Sequence, residues 1–210
     1  MPIALVLLGA QGSGKGTIGA EFAKRGYTRI VMGEILQDKK ENDPKFVAEF
    51  FDTSRDMNRG DLQSDDAVKH CLVEALHKAR NNNLVLDGCI RSVAQVEMVS
   101  GVLIDRYYDI VFIHLDCSME TAISRIEKRR DEMIKNGQKP RLDDLSRDAI
   151  GRRLNIFYNT IGSIIRAIEQ KPVGRSVYTV SAETDPNRVI GRIDRVLFGL
   201  SLCSVTFRTA

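Results

Sequence analysis

A glycine-rich turn near the start of this 210-residue chain constrains its fold more than any other feature. The segment Gly9-Ala-Gln-Gly-Ser-Gly-Lys-Gly-Thr17 follows the apolar run Ile3–Leu8 and opens a helical pattern. Glycines let the backbone curl so that several N–H groups converge on one anion, and the following helix directs its positive dipole end at the same point. This strand–turn–helix context predicts a phosphate-binding loop in which Lys15 contacts the β- and γ-phosphates of a nucleotide.

The remaining apolar runs predict an α/β fold. Runs at Leu84–Leu86 and Ile110–Leu115, and a weaker one at Ser176–Val180, are rich in valine, isoleucine and leucine without alternation, as in parallel strands buried on both faces. Helical spacing in the stretches between them indicates a doubly wound sheet with right-handed crossovers. Two stretches poor in apolar residues, Gln37–Asp66 and Lys128–Asp148, are expected to form inserts at the rim of the sheet.

Composition fits one ordinary globular domain, with 43% hydrophobic and 28% charged residues. The net charge of +3 is too balanced to argue for nucleic acid, yet the stretch from Arg125 to Arg153 holds ten basic and six acidic residues, a local +4 that favours small anionic ligands. No apolar run reaches about 18 residues, so we expect no transmembrane helix and a cytoplasmic protein. The cysteines show no metal-site spacing and are expected to be reduced and mostly buried: Cys71, Cys89, Cys117 and Cys203.

The ending of the glycine-rich turn carries a family resemblance. Gly16 follows Lys15 where the general motif has a hydroxyl residue, and the hydroxyl comes one position later, at Thr17. This Gly-Lys-Gly-Thr ending resembles the adenylate kinase family of nucleoside monophosphate kinases. Over about residues 3–198 the resemblance implies a doubly wound, five-stranded parallel sheet of the P-loop type, a helical acceptor-binding insert at about 32–66 and a short lid at about 129–145. Residues 199–210 extend beyond it, and a frayed tail is the default expectation.

A second motif follows the run Leu84–Leu86. Its residues Asp87, Gly88, Arg91 and Gln95 match the family's pattern, whereas Cys89 and Ile90 depart from it. The match implies that Asp87 holds Mg²⁺ through water and that Arg91 grips the phosphate of the acceptor. Gln95, one helical turn further on, is expected to contact the edge of a base. The alternatives are a helix cap for Asp87, a surface ion pair for Arg91 and an exposed helix residue for Gln95.

Arginines and aspartates further along resemble the family's lid. The resemblance implies that Arg125 lies against the base of ATP and that Arg129 contacts the phosphates in transfer. Arg141 opens an Arg-x-Asp-Asp segment that closes the lid. Asp143 and Asp144 are expected to fix the lid, either by pairing with arginines or by capping the next helix.

The next helix resembles the one that carries the family's catalytic arginine. Anchored on Leu154 and Tyr158, Arg153 matches that arginine. The spacing from Asp144 is one residue longer than usual, so Arg152 stays a second candidate. Phosphoryl transfer needs positive charge around the migrating group and exclusion of water, and arginines on a closing flap supply both.

The predicted acceptor pocket departs from the family. Met32 stands where a threonine contacts the base, and Gln37 stands where an arginine binds the phosphate of AMP. Loss of a charge-assisted contact costs about 1.5–3 kcal/mol, or about 10- to 100-fold in binding or rate. Arg55 or Arg59 of the same insert are candidates to supply the charge, with an ordinary surface role as the alternative.

These observations predict ATP-dependent phosphoryl transfer to a nucleoside monophosphate, most simply AMP, by a monomer that uses Mg²⁺ and binds neither nucleic acid nor membrane. The predicted catalytic residues are Lys15, Arg91, Arg129, Arg141 and Arg153. The predicted ATP-binding residues are Gly12, Ser13, Gly14, Lys15, Gly16, Thr17, Arg125 and Arg129. The predicted acceptor-binding residues are Met32, Gln37, Gly88, Arg91, Gln95, Arg141 and Arg153, and Asp87 is the predicted metal residue. The alternatives are a kinase of the same build acting on UMP, CMP or another small acceptor, and a non-catalytic ATP-binding module.

Overall fold

The computed structural model describes residues 1–50, 64–80, 82–140, 144–170 and 176–206, with side chains described as far as residue 200. The described residues form a five-stranded, all-parallel sheet in the order β2-β3-β1-β4-β5. Its strands are β1 (Ile3–Gly9), β2 (Thr28–Val31), β3 (Leu84–Asp87), β4 (Asp109–Asp116) and β5 (Val177–Ser181). This sheet and its surrounding helices confirm the predicted α/β fold class.

Eight helices lie within the described part of the chain. They are α1 (Lys15–Lys24), α2 (Met32–Asn42), α3 (Pro44–Phe50), α4 (Asp65–Lys78), α5 (Val93–Ile104), α6 (Met119–Lys135), α7 (Arg147–Glu169) and α8 (Pro186–Thr206). Serines cap α4, α5, α6 and α7, each accepting the backbone N–H three residues on: Ser64, Ser92, Ser118 and Ser146. Helix α8 continues to Thr206, so residues 199–206, where a frayed tail was expected, are helical. No described helix is long and apolar enough to cross a bilayer.

The residues of strand β1 do not alternate in polarity because both of its faces are buried. Ala4, Val6 and Leu8 pack into an apolar cluster with α4 and α5, whereas Leu5 and Leu7 pack into a second cluster with α1 and α6. All five side chains are almost fully buried. Both faces of the sheet are therefore covered by helices, as in a doubly wound fold.

The strand ends place the functional segments on one rim. In the register of the sheet Leu7 pairs with Asp87, and Val31 pairs with the same residue from the other side. The segments that follow β1, β2 and β3 therefore leave the sheet at neighbouring points, where ligands bind in open α/β sheets.

Helices α2 and α3 follow β2 and are fastened to α4 by a polar contact. Lys39 of α2 bridges Glu74 of α4 at 2.9 Å and Asp43 at 3.1 Å. Arg55 and Arg59 lie outside the described residues. The boundaries expected for the acceptor-binding insert and for the lid between α6 and α7 stay predictions.

The described cysteines agree with a reduced protein. Cys71, Cys89 and Cys117 are free and buried, and burial raises the pKa of the Cys71 thiol to about 11. The side chain of Cys203 lies outside the described residues.

Candidate active site

The phosphate-binding loop has the backbone conformation that its glycines predict. Gly12 and Gly14 adopt φ values of +84° and +94°, in the left-handed region that side chains disfavour. A Cβ on Gly12 would also collide with the backbone carbonyl of Ala122 in α6. Gly14 precedes the first turn of α1, and no side chain of the described residues caps that helix end. An uncapped helix N-terminus of this kind is a typical binding site for an anion.

Lys15 is the first residue of α1, and its side chain reaches back to the start of this loop. Its Nζ donates to the carbonyl oxygens of Gly9 and Ala10 at 2.7 and 2.9 Å, and lies 3.9 Å from Oδ1 of Asp87 at the end of β3. Ser92 caps the helix after β3, so Asp87 faces the lysine instead of capping a helix. The ammonium group and the carboxylate thus face each other at the rim where a polyphosphate would lie.

The loop opens into a cavity of about 580 Å³, within the range of about 300–1,000 Å³ typical of small-molecule sites. The predicted site residues that line it are Gly12, Gly14, Lys15, Gly16, Thr17, Met32, Asp87, Gly88, Arg91, Gln95, Arg125, Arg129 and Arg153. The structure therefore brings together residues as far apart in the sequence as Gly12 and Arg153, although their individual roles stay predictions.

Three predicted site residues are not among those that line the cavity in the described structure. Ser13 lies under the loop with 2% of its surface exposed. Gln37 donates its amide N–H to Glu41 Oε1 at 2.5 Å, one helical turn further along α2. Arg141 lies outside the described residues. The contact between Gln37 and Glu41 is local to α2 and places no charge towards a ligand.

The segment after β3 lines the part of the cavity where the sequence predicts acceptor binding. Gly88 has a φ of +75°, and a Cβ there would lie 3.4 Å from the Arg91 guanidinium. The Arg91 backbone N–H donates to Gln95 Oε1 at 2.7 Å. Gln95 is only 3% exposed, so it is not the exposed helix residue of the alternative interpretation. The same cavity is also lined by Met32, Leu36, Val68 and Ile90, which belong to one apolar cluster.

Arg125 binds the loop after β5 from the opposite side. Its Nη2 donates to the carbonyl oxygen of Ala182 at 2.8 Å. The adjacent Glu183 accepts hydrogen bonds from the Thr121 hydroxyl at 2.6 Å and from the Ser118 backbone N–H. These bonds, Thr121 first, lower the pKa of the Glu183 carboxyl. They join the start of α6 to the segment between β5 and α8.

A buried carboxylate joins the phosphate loop to two arginines. Asp144, 1% exposed, accepts from Gln11 Nε2 at 2.5 Å, from Arg129 Nη2 at 2.6 Å and from Arg153 Nη2 at 3.1 Å. Of the two contacts expected of Asp144, the structure shows the pairing with arginines, while Ser146 caps the next helix. Asp143 lies outside the described residues. Arg153 lines the cavity whereas Arg152 is exposed, so the geometry favours Arg153 as the residue that faces a nucleotide.

Several cavity residues were not predicted. Arg29 of β2 and Glu34 of α2 line the cavity, as do Ile156, Phe157 and Thr160 of α7. The α7 residues follow Arg153 at helical spacing, a signal that the sequence contains. Arg29 carried no such signal, because a four-residue strand with polar residues does not show as an apolar run.

Fold and cavity together place the chain among the P-loop proteins that handle phosphoryl groups. Residues 7–173 match a family model described as adenylate kinase. The adenylate kinase of Haloarcula marismortui is 34% identical over 129 residues, which is 60% of this chain and 56% of that enzyme. The adenylate kinase of Parvibaculum lavamentivorans is 28% identical over 92% of this chain and 91% of its own length. UMP-CMP kinase 1 of Oryza sativa subsp. japonica is 27% identical over 81% of this chain and 65% of its length.

The chain belongs to the adenylate kinase family. It is accordingly an enzyme of the nucleoside monophosphate kinase type, and members of this family bind ATP and a nucleoside monophosphate and generally use Mg²⁺ with ATP.

Proposed function

We propose that this chain transfers the terminal phosphoryl group of ATP to AMP and yields two ADP. The observation that carries the proposal is that Lys15 of the phosphate loop and Arg91 after β3 line one cavity, together with Arg129 and Arg153. Direct transfer requires both nucleotides in one cavity, with cations around the group that moves.

Positioned charge is what these residues contribute. Lys15 attracts the β- and γ-phosphates of the donor, and Arg91 attracts the phosphate of the acceptor. Arg129 and Arg153 face the group in transfer, where negative charge spreads over its oxygens. Asp144 holds both guanidinium groups in place before a nucleotide arrives, so little reorganisation is needed when the phosphates bind.

The oxygen donors at the rim fit Mg²⁺. The ion is usually held by one or two carboxylates, by water and by substrate phosphates. Asp87 supplies a carboxylate 3.9 Å from Lys15, and the Thr17 hydroxyl belongs to the same cavity. When bound, the ion would neutralise charge on the donor phosphates, while Asp87 and Thr17 hold it.

A second acceptor class is favoured by one observation. Met32 stands where the family has threonine, and apolar residues of its cluster, Leu36, Val68 and Ile90, line the cavity with it. A relative of similar identity carries the name UMP-CMP kinase 1. UMP or CMP is therefore the alternative acceptor.

A panel of acceptors tests the proposal. The purified chain with Mg–ATP is assayed by coupled ADP formation against each ribo- and deoxyribonucleoside monophosphate. We expect AMP to give the highest kcat/KM. A preference for UMP or CMP would favour the alternative acceptor class. ATP binding without transfer to any acceptor would reject the proposal in favour of a non-catalytic module.

Two variants calibrate this assay. Lys15→Met should lower kcat by about 10²–10³, the typical cost of one lost charge-stabilising donor. Arg195→Gln removes an exposed α8 guanidinium whose described hydrogen bond, to the Gly191 carbonyl at 3.3 Å, is local to its own helix, and it should leave kcat unchanged.

We also propose residues 32–66 as the acceptor-binding insert and residues 129–145 as a short closing lid. The monomeric state, the cytoplasmic location and the lack of nucleic-acid partners stay predictions. Size-exclusion chromatography with light scattering checks the first of these.

A further inference from the structure

Arg29 occupies a space that two glycines of α1 leave open. It lies on β2, and its guanidinium runs along the first turns of α1. A Cβ on Gly16 would lie 3.8 Å from Arg29 Nη2, and a Cβ on Gly19 would lie 3.0 Å from Arg29 Nε. A side chain at Gly19 would therefore force the arginine to move. The local sequence of α1 accommodates this guanidinium beside the phosphate loop.

The donors of Arg29 are weakly used by the rest of the described chain. Its ion-pair partner is Glu34, at 3.8 Å from Nη2, and the Glu34 side chain is 68% exposed. Its Nε is buried and has no hydrogen-bond partner within the described residues. A guanidinium carries five N–H donors, and an exposed ion pair at this distance contributes little. Arg29 therefore lines the cavity with N–H donors that are available to a ligand.

The acceptor side lacks the cation that the family places at Gln37. The Gln37 amide is engaged by Glu41, and Gln37 is not among the cavity-lining residues of the described structure. Arg29 and Arg91 both line this cavity; Arg29 lies within β2, opposite Val85 of β3, and Arg91 lies in the segment that follows β3. The charge missing from α2 is thus present one strand earlier in the sequence.

We propose that Arg29 binds the phosphate of the acceptor nucleotide and replaces the charge lost at Gln37. Glu34 holds the guanidinium until the phosphate arrives and then releases it. This inference rests on the proposed transfer to a nucleoside monophosphate and assigns a specificity-determining residue to it.

The kinetic test uses Arg29→Gln with Arg195→Gln as the matched control. The lost charge should raise the KM for AMP about 10- to 100-fold, while the KM for ATP stays within about threefold. An unchanged KM for AMP would overturn the inference. So would a rise confined to the KM for ATP, because Arg29 would then contact the donor phosphates.

Binding measurements separate this inference from the proposed function. Calorimetric titration of the wild type and Arg29→Gln with AMP, without ATP, reports on Arg29 whether or not turnover occurs. A wild type that binds AMP but transfers to no acceptor would reject the proposed function and leave the Arg29 result intact. Equal AMP affinities in an active enzyme would reject the inference alone.

Two further variants keep the test decisive if Arg29→Gln does not fold. Arg29→Lys keeps a charge but loses the planar fork, so its KM for AMP should exceed that of Arg195→Gln with the KM for ATP unchanged. Gln37→Arg should lower the KM for AMP more strongly in an Arg29-substituted background than in the wild type, because the two sites serve one phosphate. Equal effects of Gln37→Arg in both backgrounds would contradict the shared role.

Discussion

Asp144→Asn tests whether one buried carboxylate organises the cationic side of the cavity. The substitution keeps the size of the side chain but removes the charge that Arg129 and Arg153 share. The new amide group would also point N–H donors at neighbouring guanidinium N–H donors. Both guanidinium groups would then lose the carboxylate that they share.

The magnitude follows from the exposure of each partner. Removing one partner of a buried ion pair costs about 3–5 kcal/mol. Arg153 is 13% exposed and Asp144 1% exposed, so this pair belongs to the buried class. Arg129 is 41% exposed, and solvent screening limits its share to under about 1 kcal/mol. We therefore expect a loss of about 3 kcal/mol in unfolding free energy and a fall in Tm of about 6–12 °C.

Urea unfolding and calorimetry measure this loss against a matched control. Asp131→Asn makes the same chemical change in the ion pair with Arg130 at 2.9 Å, where the Asp131 side chain is 66% exposed. The control should lose under about 1 kcal/mol. The kcat of Asp144→Asn should fall as well, because Arg129 and Arg153 lose their fixed positions. A stability loss no larger than that of Asp131→Asn would refute the reasoning.

The other predictions concern the glycines of the phosphate loop and the decline of the unfolding free energy at acidic pH. Gly12→Ala should lower Tm more than Gly14→Ala. Both glycines have positive φ, but a Cβ on Gly12 would meet the carbonyl of Ala122, whereas a Cβ on Gly14 would have no described atom within 4 Å. Equal shifts in Tm would contradict this. Hydrogen bonds from Lys78 of α4 and from Lys39 of α2 lower the pKa of Glu74 from 4.5 to about 2. Its contribution to stability is thus complete above pH 4.5 and declines as the pH falls towards 2, so the destabilisation caused by Glu74→Gln should shrink over that range in urea titrations.

Burial decided which strands the sequence revealed. β1, β3 and β4 are covered on both faces, so they consist of continuous apolar runs that stand out from their surroundings. β2 has four residues and includes Thr28 and Arg29, and it borders the sheet. A short edge strand needs less apolar sequence, and its presence followed only from the family resemblance.

The site was predictable where function fixes the local sequence. The loop before Lys15 follows β1, Asp87 ends β3 and Arg91 comes soon after it, so motif and geometry coincide. The position of Gln37 was not predictable in this way, because a side chain on a helix selects its partner from what surrounds it, here Glu41. The contribution of Arg29 depends on space left by α1, which no local pattern encodes.

A cavity built for phosphates must keep its cations apart or compensated before the ligand arrives, and the structure does so in two different ways. Asp144 is buried and accepts three hydrogen bonds that join the loop to α6 and α7. A phosphate that displaced it would leave a buried carboxylate unpaired, at a cost of several kcal/mol. Glu34 is exposed and 3.8 Å from Arg29, so water can replace this contact at little cost. The difference in burial therefore gives the two carboxylates different roles. Asp144 stays bound to Arg129 and Arg153 and positions them, whereas Glu34 releases Arg29 when a phosphate binds.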